Sequence, residues 1–330
     1  MANWKRFISL LADSRKILIS AHKDPDGDAL GSELALCFAL EKLGFDVTIM
    51  NSDLPSGQFR FFGRDFARFR QFDDAPAGFF DQFDTWITVD TSSLSQLGKM
   101  AALVGTGLKT LVIDHHAVAD RLTKYNFSDA TQPAAACLVM ELIRKLGVPF
   151  DFRPKDSDFS IANCLYFGIA TDTGWFRFPS VLPRTLRQAA ELIQCGASTA
   201  DLYRCAYENY SPERLKFMGQ VAQTATFAAD GKVAYAWLKK SDFRRIGGTQ
   251  ADTKDLVNTL LTTAGVKAAV LFTETSDGIR LNFRSRADYN VAEIARSLGG
   301  GGHKNAAGAT VHKPLKEAIA EVTEKLIAMF

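Results

Sequence analysis

Apolar residues follow two rhythms along the first half of the chain. Short β-branched and aliphatic runs at 16–21, 46–50, 85–90 and 109–114 read as strands. Elsewhere the spacing lengthens. Leu30, Leu34, Phe38 and Leu40 mark a helix over 29–43 that stops at Gly44, a short helical stretch covers 96–104, and further helices cover 137–146 and 158–170. Alternation of this kind predicts an α/β fold, with a mostly parallel sheet covered by helices on both faces.

The second half changes order. Helices are expected over 183–196 and 199–223, with Ser211-Pro212 as a break and restart. Strands follow at 232–238, 267–273 and 278–284, a helix at 253–263 precedes the second of them, and Ser276-Asp277-Gly278 turns into the third. Helices over 291–298 and 314–329 end the chain. This reads as a larger domain over 1–195, a helical linker over 196–212, and a smaller α/β domain over 213–330, with a cleft between the two domains.

Composition narrows the class only slightly. With 47% hydrophobic and 23% charged residues in 330, the chain is an ordinary globular protein. No apolar run approaches the roughly 20 residues that span a bilayer. Residues 1–6 lead into an amphipathic segment without a small-residue cleavage pattern, so a cytoplasmic location is expected. Cys37, Cys137, Cys164, Cys195 and Cys205 lack CxxC spacing and are read as free thiols in a reducing compartment. Charge is divided unevenly: residues 1–212 hold 22 Lys+Arg against 25 Asp+Glu, and residues 213–330 hold 17 against 12. An acidic half joined to a basic half suits metal-assisted attack on an anion, although drift between domains explains the same numbers.

Chemistry gathers at the strand ends. His22-Lys23-Asp24-Pro25-Asp26-Gly27-Asp28 follows the first strand, Asp90 ends the third, and Asp114-His115-His116 follows the fourth. Asp172 opens a Thr-Asp-Thr-Gly turn. Ligands of parallel sheets collect beyond the carboxyl ends of the strands, so these groups are expected on one rim. Pro25 and Gly27 imply a tight loop from which His22, Asp26 and Asp28 can face different ions. Asp90 is suited to bridge two cations, His115 adds a nitrogen, and Asp172 closes the set. Imidazole and carboxylate without thiolate favour Mn²⁺, with Mg²⁺, Co²⁺ or Fe²⁺ as alternatives. Two such ions roughly 3.5–4 Å apart would activate water and clamp phosphate oxygens. Singly, each residue has a duller explanation: a lone Asp is more often a helix cap, and a lone His is satisfied by a hydrogen bond. That explanation would have to hold independently at every one of these positions.

Together the residues resemble a known family. His22 to Ser32, Val89-Asp90-Thr91-Ser92, Asp114-His115-His116 and Thr171-Asp172-Thr173-Gly174 are similar to the four motifs of the DHH phosphoesterases. Asn282-Phe283-Arg284-Ser285-Arg286 and the Gly299–Gly302 run with His303-Lys304-Asn305-Ala306-Ala307-Gly308 resemble the DHHA1 substrate-binding domain. The resemblance spans nearly the whole chain and is strongest to the branch of short-oligonucleotide ribonucleases that also act on 3′-phosphoadenosine-5′-phosphate (pAp). It implies that His22, Asp26, Asp28, Asp90, His115 and Asp172 hold metal, with Asp90 bridging. Asp114 would support the site, binding metal or orienting His115, and His116 would face the substrate as a phosphate contact or proton donor. Asp24 matches no ligand position. One departure is visible: where the family has a Ser-Thr pair and an acid opening the next helix, this chain has Pro133-Ala134-Ala135-Ala136-Cys137, which leaves that helix without a hydroxyl cap.

On the substrate side, consecutive glycines allow backbone N–H groups to converge on an anion. Gly301, Gly302, His303, Lys304, Arg284 and Arg286 are therefore the candidate substrate contacts, arginine being suited to bidentate phosphate recognition. A glycine-rich hairpin with a few surface charges is the plainer alternative. The stretch 59–83 carries nine Phe with Arg60, Arg64, Arg68 and Arg70. It is read mainly as core packing with solvated arginines, with the alternative left open that one ring or arginine faces the cleft. The expectation is a two-metal phosphodiesterase degrading di- to pentanucleotides to mononucleotides. Alternatives are pAp 3′-phosphatase, cyclic or linear dinucleotide phosphodiesterase, or a non-enzymatic nucleotide-binding regulator, which would have lost ligands that are all present here. Inorganic pyrophosphatase shares the resembling N-terminal motifs, but the 284–308 region argues against it. The implied partners are short single-stranded RNA or DNA oligonucleotides or nucleotide phosphates, with no membrane; a homodimer is left open.

Overall fold

The computed structural model describes residues 3–116, 120, 122–286 and 288–330, and the backbone alone at His303. Two compact units result, one ending at Glu208 and the other running from Asn209 to Phe330.

The first unit contains α1 (Trp4–Leu11), β1 (Lys16–Ser20), α2 (Gly27–Lys42), β2 (Asp46–Asn51), β3 (Phe69–Gln71), β4 (Thr85–Val89), β5 (Lys109–Ile113), α3 (Ala135–Leu146), α4 (Ile161–Asp172), α5 (Pro183–Gln194) and α6 (Thr199–Tyr207). Its sheet has the order β3-β2-β1-β4-β5, and every pairing is parallel. β4 is buried along its whole length, as its aliphatic and aromatic run requires of a strand covered on both faces. Helices α1 to α4 pack on one face around Phe7, Leu34, Phe38, Phe62 and Phe167. The opposite face is closed by Leu18, Met50, Trp86, Leu97 and Met100. Strand order reverses direction between β1 and β4, which places the switch point of the sheet at the ends that carry His22 and Asp90.

Several expectations shift in register. The stretch over 96–104 is two 3₁₀ turns, Leu94–Gln96 and Gly98–Leu103, separated where Gly98 takes φ 56°. The helix expected over 199–223 divides into α6 and α7 (Pro212–Thr224), the latter capped by Ser211 with Pro212 in its first turn. In the phenylalanine-rich stretch Phe59, Phe62 and Phe69 are core residues. Arg60, Arg64 and Arg70 are exposed as expected, Arg64 pairing with Asp158 at 2.8 Å; Arg68 departs, being half-buried between Glu41 at 2.9 Å and Asp156 at 3.0 Å. Buried Asp65 accepts from Ser157 Oγ and from the backbone N–H groups of Asp158 and Phe159, so this segment is bolted to the unit.

The second unit begins with α7 and continues through β6 (Thr226–Ala228), β7 (Val233–Leu238), α8 (Lys240–Ile246), α9 (Val257–Leu261), β8 (Ala268–Thr275), β9 (Gly278–Ser285), α10 (Val291–Ser297), β10 (Gly301–His303), β11 (Ala306–Val311) and α11 (Leu315–Ile327). Its sheet runs β10-β11-β9-β8-β7-β6, with only the β7–β8 pair parallel. The helix expected over 253–263 is shorter, because Asp255 takes φ 61° just before α9. The glycine-rich run is a hairpin, β10 to β11. Among the described residues no helix is long and apolar enough to cross a membrane.

Candidate metal centre

The first unit brings all eight of the residues expected there into one place. β1, β4 and β5 are neighbours, and their ends deliver His22, Asp90 and Asp114-His115-His116 to one rim. Asp26 and Asp28 arrive differently from expectation. Asp26 is the N-cap of α2, its Oδ1 accepting from the N–H groups of Asp28 at 3.0 Å and Ala29 at 3.2 Å. Asp28 therefore lies in the first helical turn and not on a loop. Asp172 likewise ends α4, which runs two residues further than its apolar pattern, and the expected Thr171–Gly174 turn closes there, Gly174 N–H donating to the Thr171 carbonyl at 3.0 Å.

The donor atoms form three overlapping groups, each within 4.8 Å: His22, Asp26 and Asp90; Asp90, His115 and His116; and Asp28, His115 and Asp172. Asp90 sits between the first two. Its Oδ2 lies 3.5 Å from His22 Nε2 and its Oδ1 3.2 Å from His115 Nε2. Asp90 is buried, and its Oδ1 has no hydrogen bond of acceptable geometry. Its backbone takes φ 56°, a left-handed conformation that Asp tolerates better than most residues and that gathers at functional sites. An orphaned carboxylate oxygen facing imidazole nitrogens is the situation a cation relieves, so the residues fit the divalent ions that their chemistry suggests.

Electrostatics agrees. Burial opposes charge on His22, but Asp26 and Asp90 beside it prevail and raise its pKa to about 11. Burial is likewise overcome at His115, which Asp90, Asp28 and Asp172 raise to about 10. Burial, with the negative charges of Asp90 and Asp172, pushes the Asp28 carboxyl well above its usual range. Burial lifts Asp172 to about 6. Without metal the centre thus stores protons where metal ligation needs bare nitrogen and carboxylate. Cation binding near neutral pH is expected to release protons, about two from the histidines, and to tighten as pH rises from about 6 to about 11, because protons compete until the pH passes the raised pKa values. Titration calorimetry in buffers of differing ionisation enthalpy reads the proton count; a buffer-independent enthalpy would refute it.

Asp114 and His116 lie at the edge of this set. Asp114 is fully buried, and its Oδ1 accepts from His116 Nδ1 at 2.7 Å and from the backbone N–H groups of His115 and His116. Burial works against its charge, but His116 and Ser92 more than compensate and hold the carboxyl below its usual range. Asp114 in turn raises the His116 pKa. Ser92, which sequence reasoning assigned no role, donates its hydroxyl to Asp114.

The capless helix start is also resolved. Ala134 offers α3 no side chain, and the Asp28 carboxylate takes over from another helix, accepting from the N–H groups of Ala135 at 2.5 Å and Ala136 at 2.9 Å. A carboxylate at a helix N-terminus is favoured by the unpaired donors there.

In the second unit, Arg284 pairs in register with Ala306, which pairs with His303, so positions 284 and 303 lie in one row of the sheet. The His303 side chain lies outside the described residues. Arg284 donates to Asp255 at 2.7 Å, Arg286 to the Leu261 carbonyl, and Lys304 to Asp288 at 2.9 Å. Gly301 and Gly302 are exposed on β10.

Comparison with known proteins adds independent findings. Residues 16–169 match the model of the DHH family, N-terminal domain, and residues 230–330 that of the DHHA1 domain. A Thermus thermophilus protein named bifunctional oligoribonuclease and PAP phosphatase NrnA is 33% identical over 298 residues, 89% of this chain and 84% of its own. A Bacillus subtilis protein of the same name is 29% identical over 297 residues, covering 90% and 89%. The crystal structure of an exopolyphosphatase-related protein from Bacteroides fragilis superposes with a TM-score of 0.85 at 25% identity, covering 98% of this chain and 95% of its own. Exonuclease RecJ bound to manganese shares the fold, with a TM-score of 0.57 at 16% identity over 99% and 94% of the two chains.

Proposed function

We propose, since this chain belongs to the DHH family and carries the DHHA1 domain as well, that it is a metal-dependent phosphodiesterase cleaving di- to pentanucleotides to mononucleotides. The observation that carries the reading is Asp90, whose two carboxylate oxygens face imidazoles from two different strand ends. His22, Asp26, Asp28, Asp90, His115 and Asp172 would hold two divalent cations, Mn²⁺ first among them by donor chemistry. Bound there, such ions supply Lewis acidity toward phosphate oxygens and lower the pKa of water.

The chain's own groups do the rest. Asp114 fixes His116 Nδ1, leaving Nε2 as the nitrogen able to give a proton to the leaving oxygen. Arg284, Arg286, Gly301, Gly302, His303 and Lys304 would hold the substrate phosphates. Asp255, the Leu261 carbonyl and Asp288 accept hydrogen bonds from Arg284, Arg286 and Lys304 respectively. In this division the unit ending at Glu208 carries the chemistry and the unit from Asn209 binds substrate; the 196–208 part of the expected linker packs with the first unit through Ala197 and Leu202. The relatives named as bifunctional support a second activity, removal of the 3′-phosphate of pAp.

Hydrolysis of a 5′-phosphorylated diadenylate, pAp, cyclic di-AMP and a long RNA, compared side by side with Mn²⁺, tests the reading. The diadenylate is expected to turn over fastest. Equal or faster turnover of the long RNA would sink the short-substrate assignment, and turnover of nothing with metal bound would favour a regulator.

A further inference from the structure

We propose that Ser92 is a positioning residue: its hydroxyl holds the Asp114 carboxylate, and through it the His116 ring, in line with the leaving oxygen. The inference rests on the phosphodiesterase reading above and deepens it.

The hydrogen bonds of Asp114 divide unequally. All three donors to Oδ1 (the N–H groups of His115 and His116, and His116 Nδ1) belong to residues that directly follow Asp114 in the same loop. Such donors move with the loop and cannot hold it against the rest of the fold. Oδ2 accepts from the Ser92 hydroxyl, its one partner among the described residues. That bond is the carboxylate's tie to a different element, the loop that leaves β4.

Ser92 is well placed to anchor. It is 2% exposed, and its own carbonyl accepts from Asp120 N at 3.0 Å, so it is fastened to the β5 side at both ends. The turn before it is closed by Thr88 Oγ1 donating to the Thr91 carbonyl at 3.2 Å. The same short turn contains Asp90. Ser92 thus sets the Asp114–His116 pair relative to the residue expected to bridge the metals. His116, by contrast, is 54% exposed at its side chain; its ring lies 4.4 Å from that of His115 and its Nδ1 3.8 Å from Asp90 Oδ1, but Asp114 is its one hydrogen-bond partner among the described residues.

The chemistry makes this measurable. Water adds to phosphorus, the bond from phosphorus to the ribose oxygen breaks, and the proton on His116 Nε2 passes to that oxygen. The proton lost by the attacking water restores the histidine on turnover. A ribose alkoxide is a poor leaving group and needs that proton; a p-nitrophenolate leaves as a stable anion and does not. A residue that acts only by aiming His116 should therefore matter for one ester and far less for the other.

The test compares wild type and Ser92→Ala on a 5′-phosphorylated dinucleotide and on a p-nitrophenyl phosphodiester of a nucleoside, with Mn²⁺ titrated in each case. The expected result is a loss of kcat on the dinucleotide of roughly tenfold to a hundredfold, at least about tenfold more than on the p-nitrophenyl ester. The Mn²⁺ concentration for half-maximal rate should stay unchanged. Ser92→Cys, which keeps a weak donor in similar volume, should fall between the two. Equal losses on both esters, a raised Mn²⁺ requirement, or no loss on either would each overturn the assignment. Wild-type protein that hydrolyses neither ester would instead overturn the phosphodiesterase reading.

Discussion

Asp90→Asn is expected to reduce Mn²⁺-dependent turnover of a 5′-phosphorylated dinucleotide by about 10³-fold or more, with bound metal falling below two equivalents. The substitution is nearly isosteric, and Asn accepts the left-handed φ of 56° as readily as Asp, so the backbone has no reason to move. What changes is charge. One carboxylate oxygen becomes an amide N–H, which points a donor at a nitrogen that should ligate metal. The side chain faces His22 at 3.5 Å and His115 at 3.2 Å from opposite oxygens, so one candidate ion site loses its ligand and the other keeps only a neutral amide oxygen. Loss of several kcal/mol of charge stabilisation, at about 1.36 kcal/mol per tenfold, gives the stated factor. Asp24→Asn is the matched control: Asp24 is exposed, outside all three donor groups, and its variant should stay within about twofold of wild type. Metal content by atomic emission and kcat on the same samples decide the matter. Retention of more than about a tenth of the rate with two metals bound would remove Asp90 from its role.

The metal centre was legible in sequence to the extent that strand ends are legible. β1, β4 and β5 are short aliphatic runs, and each is followed at once or within two residues by a polar group that could not continue a buried strand. Helix boundaries were harder to read. The pattern offers Asp26 as a candidate ligand against the duller option of a cap, and the cap is what the structure shows, its carboxylate meeting the first free N–H groups of α2. The roles of Ser92 and of Asp28 at the head of α3 depend on contacts 22 and 107 residues away in the chain, and no local pattern encodes these. The glycine-rich run concealed β10 and β11 for a related reason: Gly301, Gly302 and Gly308 carry no hydrophobic alternation, and only pairing with β9 makes the segment a strand.

Gly31→Ala should prove among the most damaging single-methyl changes in the first unit, lowering stability by about 3 kcal/mol. A Cβ at Gly31 would lie 2.4 Å from the Cys164 carbonyl oxygen, which is backbone of α4 and cannot rotate aside. The opposed Gly168 is equally tight, its missing Cβ falling 2.8 Å from Ala136 Cβ and 2.9 Å from Asp28 Oδ1. Glycine at these points lets α2 and α4 approach closely enough for Asp28 at one helix start and Asp172 at the other's end to share a donor group with His115. One methyl group therefore acts twice, by overpacking the core and by spreading two ligands. The expected fall in Tm is roughly 6–12 °C, accompanied by a higher Mn²⁺ requirement for activity. Gly219→Ala in α7 is the informative contrast. Nothing lies within 4 Å of its Cβ position and its φ is not positive, so the same change should stabilise the second unit by about 0.5–1 kcal/mol. Calorimetry of both variants measures the two signs. A Gly31→Ala protein with unchanged Tm and Mn²⁺ dependence would mean that the two helices do not meet as closely as Gly31 requires.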